Sequence, residues 1–435
     1  MIIEPFTVGI FCLLLAVVLM LLGVPVAFSM LFSGFVGLVC LTSLEAALRI
    51  VAMEFYNTFS SYSLSVISAF LFMGSLASAT GMSERLYKAA YDLWGRLPGG
   101  LAVATVWACA GFAAVCGSTT ATAAAVAKPA VREMRNYNYA DAIALGTVAS
   151  GGVLGILIPP STVFIVYGIL TEQSIGKLFV AGICPGLLLA SIMSVAVMGL
   201  CWLCPQLGPA GPRTSMKDKI GHIPTLLEAF IIFVCVILGL ASGLFTAIQS
   251  GAVGVALILI ASVLRRKITG SMLLRTAADS LPLICMIMML LTGGMVFGRL
   301  MGLAKVPFTI AESINKTSLP PLSVMALIIL LHLIGGCFMD AFAMIIITVP
   351  ILFPIVVSMG FDPIWFGVIL VLICEVGAIT PPYGINVFMI KGLFPEVPIG
   401  VIFKGVTIYV LSGIAVIGIL LICPSIATFL PKMFG

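Results

Sequence analysis

The chain of 435 residues is 62% hydrophobic and only 9% charged, with a mean hydropathy of +1.27, which excludes a soluble domain with a polar surface. Its 21 Lys and Arg against 16 Asp and Glu give a net charge of +5, but these charges lie in short segments rather than in a patch that could hold nucleic acid. The composition is that of an all-α polytopic membrane protein lying in a lipid bilayer.

The opening "MIIEPFTVGIFC" has no basic stretch ahead of its apolar run, so the first helix is expected to stay as an anchor rather than be cleaved as a signal. A hydrocarbon core of about 30 Å takes about 20 helical residues. The run 7–41 would be about 52 Å long as one helix, so it is divided at Gly23-Val24-Pro25 into two passes. Apolar segments follow at 64–80, 101–127, 140–170, 178–204, 226–240, 244–264, 281–297, 322–357, 364–391 and 399–423. Between them, linkers such as "MSERLYKAAYDLWGRLPGG" read as amphipathic helices at the interface. The twelve cysteines are scattered through apolar runs as small hydrophobes, and the one CxxC, Cys201 to Cys204, has neither a second ligand pair nor His222 or His332 nearby in sequence.

Basic loops stay on the cytoplasmic side, which tests how the segments are threaded. If 101–127 and 322–357 are re-entrant hairpins, the cytoplasm holds Arg85, Lys88, Arg96, Lys128, Arg132, Arg135, Arg213, Lys217, Lys219, Arg265, Arg266, Lys267, Arg275, Lys391 and Lys404. That is 15 against 6, whereas single crossings would give 9 against 12. The hairpin threading predicts periplasmic termini and opens the two hairpins towards opposite faces.

The two halves share a plan. Ser118 precedes Pro159 by 41 residues and Asp340 precedes Pro381 by 41 residues, each pair joining a polar tip to a Pro-Pro break. Beyond the prolines, "VFIVYGILTEQSIGKLFV" (163–180) aligns without gaps to "VFMIKGLFPEVPIGVIFK" (387–404), with seven identities in 18 positions. With hairpins facing opposite ways, this pattern reads as an inverted repeat, an architecture of secondary transporters.

The breaks carry chemistry. Proline has no N–H, so a helix through Pro159-Pro160 and Pro381-Pro382 leaves the carbonyls of Gly155, Ile156, Gly377 and Ala378 without their usual donors. Such groups persist within a bilayer only where protein, water or a ligand replaces the lost partner. Opposite the breaks lie the tips Gly117-Ser118-Thr119-Thr120-Ala121-Thr122, rich in hydroxyls, and Gly335-Gly336-Cys337-Phe338-Met339-Asp340, which ends in a carboxylate. Carbonyls with hydroxyls or a carboxylate make a hard oxygen site suited to Na+. Half-helices starting at the tips and after the prolines aim their N-termini at the same level, where they favour an anion. Small and hydroxyl residues also occur where membrane helices pack, so the first tip alone does not decide. Asp340 and Glu375 are intramembrane carboxylates, which are expensive and usually functional, the other reading being satisfaction by local backbone. Lys391 ends the second broken helix and reads as snorkelling to the surface rather than touching substrate, and Arg299 as an interfacial anchor, the other reading being a role in anion entry.

At these residues the chain resembles the large membrane subunit, DctM type, of the tripartite ATP-independent periplasmic (TRAP) transporters. The likeness covers nearly the whole chain and rests on six pieces in order: "GVPVAF" (23–28), "GSTTATAAAV" (117–126), "GGVLGILIPPSTVFIVYG" (151–168), "SIGKLFVAGICPGLLL" (174–189), "MDAFAMIIITVPILFPIV" (339–356) and "EVGAITPPYGINVF" (375–388). It implies a Na+-coupled symporter that brings a small organic anion, carboxylate or sulfonate, across the bacterial inner membrane, with no enzymatic activity and no organic cofactor. It further implies a small four-helix membrane subunit on a separate chain and a soluble periplasmic substrate-binding protein as partners. The mechanism implied is an elevator, in which hairpins and broken helices slide against a scaffold. On that plan 1–98 holds scaffold helices and an interfacial arm, 99–205 the first repeat, 206–320 further scaffold helices and arms, and 321–435 the second repeat.

Carried onto this sequence, the resemblance places a first Na+ site at Ser118 and Thr119 with backbone around Gly152, Gly155 and Pro159. A second uses Gly336 and Asp340 with backbone around Gly377, Thr380 and Pro381. Substrate is expected near Ser161, Thr162, Tyr383 and Asn386. Lys128 and Lys391 stand where the family more often has uncharged residues, and "ICEVG" lacks the Asn often seen before its Glu, which weakens any substrate borrowed from better-known members. The competing readings are a stand-alone two-hairpin anion symporter without a binding protein, and a non-transporting membrane subunit.

Overall fold

The computed structural model describes residues 4–211, 220–316 and 320–433, and among them the only regular structure is helical. Arg213, Lys217 and Lys219 of the charge count lie outside the described residues. Helices α1 (Pro5–Leu21) and α2 (Val26–Leu41) are separated where expected, by a turn in which Gly23 takes φ +87°, a backbone conformation that residues with a Cβ rarely adopt. The amphipathic α3 (Leu44–Ser60) starts at Ser43, whose hydroxyl accepts from the N–H of Ala46. It meets α4 (Ser65–Ala79) at 48°. α5 (Met82–Trp94) is the expected interfacial arm.

The first hairpin consists of α6 (Gly100–Cys116) and α7 (Thr119–Asn136). α7 runs well past the end of the apolar segment at 127, because a helix does not stop where hydropathy does and Arg132 to Arg135 continue it into a polar layer. The first broken helix follows as α8 (Asp141–Gly151), α9 (Leu154–Leu157) and α10 (Thr162–Thr171), with 40° between its halves. Next come α11 (Ile175–Leu203), α12 (Ile223–Ala241) and α13 (Ala247–Leu264). α14 (Gly270–Leu303) has 34 residues where the apolar run suggested 281–297; its first turns carry Arg275 and Asp279 and so escape a hydropathy reading. After α15 (Val306–Lys316), the second hairpin is α16 (Pro321–Phe338) and α17 (Ala341–Ser358). The second broken helix is α18 (Pro363–Gly377) and α19 (Ile385–Leu393), followed by α20 (Ile399–Ile422) and α21 (Ser425–Met433).

Seven described helices are long and apolar enough to cross a bilayer, or nine if each bent pair is one span. The arms α16 and α17 are among the seven at 18 residues each, about 27 Å. Ile175 and Ile399, which the internal alignment pairs, both open the helix after a break.

Two groups of helices hold the molecule together. α2 packs along α14, and α4 against α13 and α14. α8 packs along α20, which also meets α11 and α18. The α8–α20 crossing is backbone to backbone: a Cβ on Gly146 would stand 2.5 Å from the carbonyl carbon of Gly405, so only glycine permits this approach. Ion pairs tie the ends of several helices together. Arg85 and Arg265 both bind Glu228, His222 meets Asp92, Arg135 joins Asp141 and Glu396, and Arg299 meets Glu54. Hydrogen bonding, to Asp141 first and then to Glu396, raises the Arg135 pKa.

Candidate functional site

The first tip is built by a left-handed glycine and a cap. Gly117 (φ +66°) ends α6, and Ser118 starts α7 by accepting from the N–H of Ala121 at 3.4 Å. The tip is pinned to the far side of the first break, where the Thr162 hydroxyl donates to the Gly117 carbonyl at 2.8 Å. Ser161 caps α10 by accepting from Phe164 N–H at 3.2 Å, and both Ser161 and Thr162 are fully buried. On the near side, a Cβ on Gly155 would stand 2.5 Å from the Ser118 carbonyl oxygen and 2.7 Å from Thr122 Oγ1. One on Gly152 would stand 2.9 Å from the Thr119 carbonyl oxygen. Glycine at both positions therefore lets the broken helix press against the oxygens of the tip.

Several of these oxygens lack partners. The Thr122 hydroxyl is buried with only the Cys116 thiol beside it, and the Ser150 hydroxyl in α8 is buried with no hydrogen bond. No described N–H bonds the carbonyls of Gly155 or Ile156. The predicted first set, Ser118, Thr119, Gly152, Gly155 and Pro159, is thus gathered in one place, and Thr122 joins it.

At the second tip Asp340 caps α17, its Oδ1 accepting from Ala343 N–H at 2.7 Å. Gly336 and Gly377 cross backbone to backbone: a Cβ on Gly377 would lie 2.8 Å from Gly336 Cα. This sets the tip level with the end of α18, where the helix breaks. The expected loose carbonyls are not found here. Gly377 O accepts from Thr380 N–H (2.9 Å) and Ala378 O from Asn386 N–H (3.2 Å), because the loop after α18 and the first turn of α19 fold back and supply donors that proline lacks. Thr380 also spends its hydroxyl on Val376 O at 2.6 Å. Gly384 N–H reaches across to the Cys337 carbonyl, 3.2 Å away. Both Pro159-Pro160 and Pro381-Pro382 are cis.

The two tips are linked. Thr119 donates to Glu375 Oε2 at 2.9 Å, joining residues 256 positions apart, both buried. The four expected substrate residues are less uniform. Asn386 is buried with its Nδ2 unpaired, whereas Tyr383 is 50% exposed and stacks on Phe388 at 4.7 Å. Lys391 turns back to donate to Pro395 O (2.6 Å) and Val397 O (2.8 Å), which fastens the turn after α19. Arg299 binds the buried Glu54 at 2.9 Å beside a cavity of about 680 Å³ between α3, α10, α14 and α17. Among the described residues no three His, Cys, Asp or Glu cluster as transition-metal ligands do.

Residues 13–426 match the family described as tripartite ATP-independent periplasmic transporter, DctM component. The chain belongs to this family. It is 34% identical over 390 residues to the C4-dicarboxylate TRAP transporter large permease protein of Pseudomonas aeruginosa, covering 89% of this chain and 91% of that one. It is 32% identical to the isethionate TRAP transporter permease protein DctMQ of Oleidesulfovibrio alaskensis, where the match covers 89% of this chain and 60% of the longer relative. Among solved structures the YdaH transporter of Alcanivorax borkumensis superposes with a TM-score of 0.59 at 14% identity, covering 86% of this chain and 89% of that one, a likeness of fold alone. This DctM-family protein is therefore a TRAP large permease component, a multi-pass protein of the inner membrane and not an enzyme.

Sequence reading of the permease named Thr122 in the first tip but left it out of the cation set, and it missed Ser150 and the bond from Thr119 to Glu375. Thr122 carried a visible signal, since it lies one helical turn beyond Ser118 in the same hydroxyl-rich run. Ser150 and the bond between Thr119 and Glu375 carried none that a linear reading could use.

Proposed function

We propose that this permease component imports a small organic anion, carboxylate or sulfonate, by Na+ symport, receiving it from a soluble periplasmic binding protein and working with a small four-helix membrane subunit. The observation that carries this reading is the oxygen cluster at the first tip. Carbonyls of Ser118 and Thr119 and the Thr122 hydroxyl face Gly152 and Gly155 beside carbonyls that the prolines leave without donors. A buried set of oxygens without imidazole, beside which the Cys116 thiol donates to the Ser118 carbonyl, suits an alkali cation. Asp340 with the backbone near Gly336 and Gly377 forms the second cation site on this reading.

On this reading the anion is attracted by the helix N-termini at Ser161 and Gly384 and bound by Ser161, Thr162, Asn386 and Tyr383. The names of the relatives, one for C4-dicarboxylates and one for isethionate, favour an organic acid. On this reading the hairpins and broken helices form the moving body, and the remaining helices the scaffold. The termini lie in the periplasm, as the threading of the basic loops expects.

Uptake into proteoliposomes holding the permease and its small subunit tests this. The reading expects accumulation only with an inward Na+ gradient and with the binding protein present. Unchanged uptake when K+ replaces Na+ would refute the coupling, and uptake without the binding protein would favour a stand-alone symporter.

A further inference from the structure

The two tips differ in one respect that matters for a cation. The second carries its own carboxylate, Asp340, whereas the first, 117–122, consists of hydroxyls and backbone. The first tip nevertheless touches a carboxylate. Glu375 lies in α18, two residues before Gly377, is 2% exposed, and accepts the Thr119 hydroxyl at 2.9 Å. Thr119 thus faces both ways: its carbonyl oxygen lies against Gly152 and its hydroxyl against Glu375. Among the described residues no Lys, Arg or His pairs with Glu375. A carboxylate buried in an apolar layer needs a compensating charge or further hydrogen bonds. The buried Ser150 hydroxyl has no partner, and the Thr122 hydroxyl has none beyond the Cys116 thiol beside it, so both point to a missing ligand at this tip.

We infer that Glu375 supplies the negative charge for the cation at the first tip. It acts through Thr119 as a positioning residue, so that each tip is balanced by one carboxylate and the first takes its own from the other half of the chain. A cation there and the α18 segment are then coupled: binding at the first tip draws Glu375 and the break behind it into register. The inference rests on the Na+ reading above.

The test is equilibrium binding of ²²Na+ to the purified permease with its small subunit, before any organic substrate is needed. The wild type is expected to show two saturable sites. Glu375→Gln, which keeps the shape, should weaken one site at least ten-fold and leave the other, removed by Asp340→Asn, at wild-type affinity. Thr119→Val should weaken the same site as Glu375→Gln, Thr119→Ser should recover most of the loss, and Glu375→Gln with Thr119→Val should be no worse than Glu375→Gln alone, as expected for partners in one contact. The inference is overturned if Glu375→Gln keeps both affinities, if it abolishes both, or if the Thr119 and Glu375 substitutions add. A wild type that binds no ²²Na+ instead overturns the Na+ reading itself.

Discussion

Gly377→Ala probes the contact that fixes the second tip. In the structure an added Cβ at this position would stand 2.8 Å from Gly336 Cα, 2.9 Å from the Gly336 carbonyl carbon and 3.1 Å from Leu333 O. Carbon atoms rest about 3.5–4.0 Å apart, so the hairpin would have to retreat by about 1 Å. Both neighbours are backbone and cannot rotate aside. Overpacking of this kind costs about 1–3 kcal/mol, which is roughly 5- to 150-fold in an equilibrium constant. The same substitution at Gly392 in α19 or Gly418 in α20 meets nothing within 4 Å. There, alanine should stabilise the helix by up to about 1 kcal/mol. Thermal unfolding of the three purified variants in detergent, with and without Na+, makes the comparison. Gly377→Ala should melt below wild type and show a reduced Na+-induced shift, while the two controls melt at or above wild type. A Gly377→Ala protein that melts like its controls and keeps the full Na+ shift would refute the packing of Gly336 on Gly377.

Further outcomes follow from single contacts. Thr162→Val removes the hydroxyl donor to the buried Gly117 carbonyl and leaves it only the long bond from Thr162 N–H at 3.4 Å, so it should destabilise the fold by about 1 kcal/mol and lower Na+ affinity, measured by thermal unfolding across a Na+ titration. Asn386→Leu replaces a buried amide whose Nδ2 has no partner; it should leave the melting temperature unchanged or higher, since apolar replacement of an unpaired polar group is neutral to stabilising, while uptake is lost. Tyr409→Phe removes the hydroxyl that meets Thr147 at 2.6 Å between α20 and α8. Its cost should be only about 1 kcal/mol, because Thr147 keeps its bond to Ile143 O.

The helices were legible wherever apolar residues run long enough to cross a bilayer, and illegible where charge begins. That is why the apolar runs miss the ends of α7 and α14: backbone hydrogen bonding carries both beyond the hydrocarbon layer. The tips were legible because Ser118 and Asp340 are helix caps, a role with a local signal. At the breaks the proline rule identified which donors are missing but not what replaces them. Thr380 in the loop and Asn386 at the start of α19 repair the carbonyls of Gly377 and Ala378, whereas nothing described does so for Gly155 and Ile156. The bond from Thr119 to Glu375 spans 256 positions. No periodicity or spacing could place those two side chains together; only the packing of the two halves does.

Uptake driven by an inward Na+ gradient in proteoliposomes, compared between wild type and Asp340→Ala in the presence of the small subunit and binding protein, tests the central claim that the tips and breaks hold the coupling ion. The account predicts Na+-driven accumulation by the wild type and a loss of at least ten-fold in the variant. Equal accumulation by the two proteins would contradict it.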